Sequence, residues 1–151
     1  MQDYGRRIVV DLPFDRAVHE TVEAFQAEGL DVTARVDVSD YAQSRLHHDL
    51  RRYVLLQALP ASLTMEALQH DLDAGPMLTA TVAIYELADG ETAIVAAEPF
   101  APLLADPAWQ VAAPEIARVA EQEGELVARA LTRVQHAPSQ AKYGAPDAIY
   151  A

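Results

Sequence analysis

Asp31-Val32-Thr33-Ala34-Arg35-Val36-Asp37-Val38 alternates polar and apolar side chains without a break over eight residues. Successive side chains of a strand point to opposite faces. The stretch therefore predicts a strand with Val32, Ala34, Val36 and Val38 inward and Asp31, Thr33, Arg35 and Asp37 outward. A strand with one wet face belongs to an antiparallel sheet covered on one side only. Upstream, residues 7–12 read as a first strand with Ile8, Val10 and Leu12 on one face, stopped by Pro13. Between the two strands, Val18, Val22 and Phe25 form a helical stripe, with Asp15 as its expected N-cap and Gly29 as its end.

Downstream, residues 52–59 form a nearly continuous apolar strand that Pro60 breaks. A helix starting at Ser62 or Thr64 carries Met65, Leu68 and Leu72 and closes at Gly75-Pro76. Residues 79–87 and 91–97 make a hairpin across Asp89-Gly90, a favoured tight-turn pair. Residues 99–112 read as a loop, and Pro114-Glu115 opens a long helix to about Val134. Runs of adjacent strands, rather than strict alternation with helices, mean a two-layer α+β fold. Its curved, mainly antiparallel five-stranded sheet carries helices packed on one face. Leu12-Pro13-Phe14-Asp15 stands where a glycine-rich phosphate loop would follow the first strand, so the nucleotide fingerprint is absent.

Length and composition narrow the function classes. The 151 residues fit one domain, taken as 1–136, with a tail or arm at 137–151 that loses all periodicity. With no cysteine, the chain can build no disulfide, zinc–thiolate site, iron–sulfur cluster or catalytic thiol. Twenty-three acidic residues against 11 basic ones give a formal net charge of −12, and Lys142 is the only lysine. Such a surface repels phosphate backbones and argues against nucleic-acid binding. A salty environment or a GC-rich genome would each produce this bias. The N-terminus lacks the order of a signal peptide and no apolar run approaches the ~18 residues of a membrane span. A cytoplasmic protein with no membrane partner is expected.

Three stretches carry a family resemblance. They are Phe14-Asp15-Arg16-Ala17-Val18 through Ala27-Glu28-Gly29-Leu30-Asp31-Val32, the strand Tyr53-Val54-Leu55-Leu56 running to Leu59-Pro60-Ala61, and Val82-Ala83-Ile84-Tyr85-Glu86 with Asp89-Gly90 and Glu98-Pro99. In order and spacing the chain resembles the domain-of-unknown-function family 302 over about residues 7–134. The resemblance implies a curved antiparallel sheet with helices on one side, similar to the TATA-binding-protein-like architecture, and implies no activity. Ala58-Leu59-Pro60 and Leu78-Thr79-Ala80 stand where relatives often have Cys-Asn-Pro and Leu-Pro-Cys. Functions needing those cysteines are closed to this chain.

Few residues offer chemistry. His47-His48-Asp49 is the densest histidine cluster, and His70 and Asp73 share a helical face. A metal site needs three or four convergent ligands, so the metal reading of His48 and His70 stands beside the plainer reading of solvated polar faces. No Gly-x-Ser-x-Gly elbow is present. Glu123 falls in the middle of the apolar stripe Ile116, Val119, Ala120, Val127, Ala130, Leu131, Val134. It reads functionally as a general base or ligand-anchoring acid. Structurally it reads as the partner of an arginine, or as turned outward by a helix break near Gly124. The uncovered sheet face, with Arg35, Tyr53 and Tyr85, offers a ligand or partner contact, or is an ordinary wet face.

No cofactor is expected. The expectation is a non-catalytic module that self-associates or binds a small apolar ligand or protein partner. The alternative is a small enzyme or metal-binding protein using Glu123, His48 and His70. Tyr143, Ile149 and Tyr150 in the tail point to a homodimer that the tail helps to hold.

Overall fold

Asp89-Gly90 turns the chain within two residues, with Gly90 at φ 77°, a conformation that costs glycine nothing. The strands it joins, β4 (Ala80–Ala88) and β5 (Glu91–Ala97), form the centre of the sheet. β1 (Gly5–Val10) pairs with β5, while β3 (Tyr53–Pro60) pairs with β4 and β2 (Leu30–Asp37) with β3. The order is β1-β5-β4-β3-β2, with every pair antiparallel in one curved sheet. The computed structural model describes residues 4–138. The tail expectation, beyond Ala137 and Pro138, lies outside the described residues.

One face of the sheet is covered. Val54, Leu56, Val82, Ile84 and Ile94 lie buried against α1 (Phe14–Ala27) and the second half of a long helix at Pro114–Gln135. Apolar side chains of this size each stabilise by about 1.5–3 kcal/mol when fully buried, so this sandwich is the main core. Helix α1 ends where Gly29, at φ 84°, turns the chain into β2. Its start differs from the expectation. The N-cap is Pro13 and makes no side-chain cap. Asp15 instead accepts two hydrogen bonds from Arg52, at 2.6 and 2.9 Å, and Arg52 also lies 4.4 Å over the Phe14 ring. A bidentate guanidinium outcompetes a single backbone N–H for the carboxylate.

Residues 39–48 read in sequence as a short helix or an irregular turn and are largely helical, while the 99–112 segment holds more helix than the sequence suggested. α2 (Val38–Leu46) follows β2, capped by the Asp37 carboxylate on the Asp40 N–H at 2.9 Å. α3 (Ala61–His70) follows β3. Met65 and Leu72 were expected inward, yet both are exposed, and Ala67 is the fully buried residue of α3. For Leu72 the reason is the Asp71 carboxylate, which accepts from the Asp73 N–H at 2.9 Å and cuts the helix, leaving a 3₁₀ segment at Leu72–Met77. The expected loop 99–112 contains two short helices, α4 (Ala101–Leu104) and α5 (Pro107–Ala112). Pro102 and Pro107 sit in helix first turns, where no backbone N–H is needed. α6 is the long helix Pro114–Gln135.

Strand β2 departs most from its sequence pattern. Val32 lies opposite Ala58 and Ala34 opposite Gln57, so Thr33 is an extra residue on the β2 side, a β-bulge. Beyond it, Arg35 faces Leu56 and Val36 faces Leu55. The two side chains have exchanged the faces that unbroken alternation assigns them. Arg35 stands on the helix side near Asp15, and Val36 lies on the open face, 49% exposed. The open face is consequently apolar rather than polar. Arg7, Val95, Ala83, Leu55 and Val36 form one row across all five strands, with Val9, Ala93, Tyr85 and Tyr53 beside it.

Candidate functional site

The apolar side of α6 serves two clusters. Ile116, Val119 and Ala120 pack with α3, the 3₁₀ segment, Phe100, Leu104 and Trp109, while Val127, Ala130, Leu131 and Val134 pack into the main core. Glu123 occupies the helical turn between them, on the same stripe. It is 7% exposed, and its Oε2 is buried with no hydrogen-bond partner among the described residues. The helix runs through Gly124 unbroken. The sequence placed Glu123 in this stripe correctly, but both structural readings of it fail. No arginine reaches it among the described residues, and no break turns it outward.

Burial without a partner disfavours the charged form of a carboxyl. Desolvation accordingly pushes Glu123 up to about 8, so the group is mostly protonated at neutral pH. This behaviour contrasts with the other carboxyls whose titration is displaced. Arg52 holds Asp15 below the usual range, Arg133 and Arg129 lower Glu28, and the Asp40 N–H and Ser39 lower Asp37. Each of those acids has a donor; Glu123 has none among the described residues.

Glu123 lines a cleft of about 520 Å³. One wall is the middle of α6, with Ala120, Gly124 and Val127; the opposite wall is Phe100, Ala101 and Leu104. Arg6 and Ala97 from the ends of β1 and β5 close the side, and Glu121 and Glu125 stand at the rim. Arg6 is engaged by Glu98 in an ion pair. An ideal Cβ built on Gly124 meets nothing within 4 Å, so the space beside the carboxyl is open. A concave, mostly apolar site with a few polar groups is the usual form of a small-molecule site. The loop wall of this cleft escaped the sequence reading because residues 99–112 carry no helical period long enough to register.

The remaining candidates lie elsewhere. His48 and His70 are exposed and neither lines the cleft. Among the described residues no group of three histidines or carboxylates is placed to hold a metal ion. Tyr53 and Tyr85 are cross-strand partners on the open sheet face, stacked at 5.5 Å with their rings 7° from parallel. Arg7 donates to the Tyr85 hydroxyl at 3.4 Å. Arg35, expected beside these tyrosines, is on the other side of the sheet because of the bulge. No helix among the described residues is long and apolar enough to cross a membrane.

Comparison with known proteins agrees with this architecture. The family model described as "Domain of unknown function DUF302" matches residues 7–134. A solved structure of an uncharacterized conserved DUF302 protein from Bacillus stearothermophilus is similar at TM-score 0.72 and 18% identity, covering 88% of this chain and 99% of its own. At that identity the likeness speaks for the fold alone. No curated protein matches the sequence. The order of strands and helices and the matched span together establish that the chain belongs to the DUF302 family.

Proposed function

We propose that the chain is a non-catalytic binding module that holds a small, largely apolar molecule in the cleft beside Glu123. The observation that carries this reading is a buried carboxyl without a partner among the described residues, lining an open cleft of about 520 Å³. A leucine at position 123 would join the two apolar clusters of α6, and a glutamate there leaves a polar group to be satisfied from outside. The enzyme alternative draws on the same carboxyl, whose titration near 8 suits a general base. It lacks a second group, since no histidine lines the cleft to orient or relay a proton.

Native mass spectrometry of the protein from its own source tests the reading, run beside Gly124→Leu. The leucine enters open space on an intact helix and fills the cleft. The expected result is a small bound mass on the wild type that the variant lacks. A bound mass kept by the variant, or none on either protein, would overturn the reading.

The open sheet face supports a second property, self-association with another copy of the chain. Its rows of Val9, Val95, Ala83, Leu55, Val36 and the tyrosine pair carry few charges, on a chain of net charge −12. Two strongly acidic molecules approach with least repulsion where neither presents carboxylates. Sedimentation equilibrium of wild type and Leu55→Glu is the check. A wild type monomeric at high micromolar concentration would end the idea.

A further inference from the structure

We propose that the occupant of the cleft is a small organic cation, an ammonium group on an apolar body, with the Glu123 carboxylate as its counter-ion. This deepens the binding reading above and rests on it. A buried carboxyl can be satisfied by a proton, by a cation of the protein, or by a cation that arrives. The nearest guanidinium of the cleft, Arg6, is engaged by Glu98, so among the described residues none supplies a counter-ion. Four carboxyl groups line the cleft, those of Glu98, Glu121, Glu123 and Glu125, against the single guanidinium. That balance repels an organic acid and draws a cation.

The walls decide the rest of the ligand. Phe100, Leu104 and Val127 are apolar, and they suit a hydrocarbon ring or short chain better than a hydrated polyamine. The space over Gly124 leaves room for that body directly beside the carboxyl. Once the ammonium docks, it replaces the proton on Glu123. The ligand enters as R–NH₃⁺, the O–H bond of the carboxyl breaks, and the proton leaves to the buffer. An ion pair remains in place of a neutral acid, with no other co-reactant.

Proton release is therefore the signature. Benzylamine, benzyl alcohol and benzoate have similar size and differ in charge, so they serve as the probes. Calorimetry of the full chain at pH 7, in two buffers of different ionisation enthalpy, is expected to show benzylamine binding with release of nearly one proton. Its affinity should rise about tenfold from pH 6 to pH 7 and level off above pH 8. Glu123→Gln keeps the shape of the side chain and should remove both the proton release and the preference over benzyl alcohol. Amide shifts at Phe100 and Gly124 locate the binding.

Benzyl alcohol or benzoate binding as well as benzylamine would overturn the cation while leaving a ligand site in the cleft. Benzylamine binding unchanged in Glu123→Gln, or without proton release, would overturn it equally. Binding by none of the three would also remove it, and the retained-mass experiment then judges the cleft on its own.

Discussion

Glu123 is the residue at which local pattern and tertiary surroundings disagree. Its carboxyl titrates near 8 in the fold and near 4.5 when exposed. Between those values the unfolded chain gives up the proton and the folded chain keeps it, so unfolding gains ground as pH rises from about 4.5 to 8. Above pH 8 both states are ionised and the full penalty, on the order of a few kcal/mol, is present. Glu123→Gln cannot ionise. Its melting temperature should match the wild type near pH 4.5 and exceed it at pH 9, measured by differential scanning calorimetry. A fall at pH 9 would mean that the carboxylate has a partner after all. The adjacent Gly124→Ala replaces a helix-interior glycine where a methyl group meets nothing. It should stabilise by about 1 kcal/mol in urea titrations. The angular position of Glu123 was legible in the sequence because helical period is a local property. Its lack of a partner was not, since partners come from β1, the 99–112 segment and α3, which the helix alone does not specify.

At the scale of elements, β2 and α6 teach opposite lessons. The stripe of α6 ran true from Ile116 to Val134, and the helix buries that side throughout. The alternation of β2 was equally regular, yet the bulge at Thr33 inverted its second half. A bulge depends on which partner residues the ladder meets, so it leaves no mark in the polar-apolar pattern of one strand. The antiparallel class and the Asp89-Gly90 hairpin were still readable, because turn residues and strand adjacency survive a local slip. The inversion makes a clear forecast for chemical denaturation. Val36→Lys, on the open face, should change monomer stability by less than about 0.5 kcal/mol. Leu56→Ala, on the neighbouring strand β3 and in the covered layer at 2% exposure, should cost about 2–5 kcal/mol. Comparable losses for the two would return Val36 to the core.

For the whole molecule, charge and shape act together. A net charge of −12 opposes any meeting of two copies, and added salt shortens the reach of that repulsion to about 3 Å at 1 M. If the open face self-associates, raising sodium chloride from 0.05 to about 0.5 M should tighten it, as light scattering would register. Weakening by salt would point to ion pairs rather than apolar contact. The bulge in β2 has one more consequence, which concerns stoichiometry. A sheet has two free margins, and a straight, regular margin can recruit strand after strand into a growing ribbon. Here the margin at β2 is kinked at Thr33, so a newcomer finds its hydrogen-bonding rhythm out of step after the three residues Leu30, Asp31 and Val32. The same kink delivers Val36 to the flat of the sheet. Growth along the margin is thus discouraged by the very irregularity that enriches the flat, and contact through the flat is exhausted once a single mate has taken it.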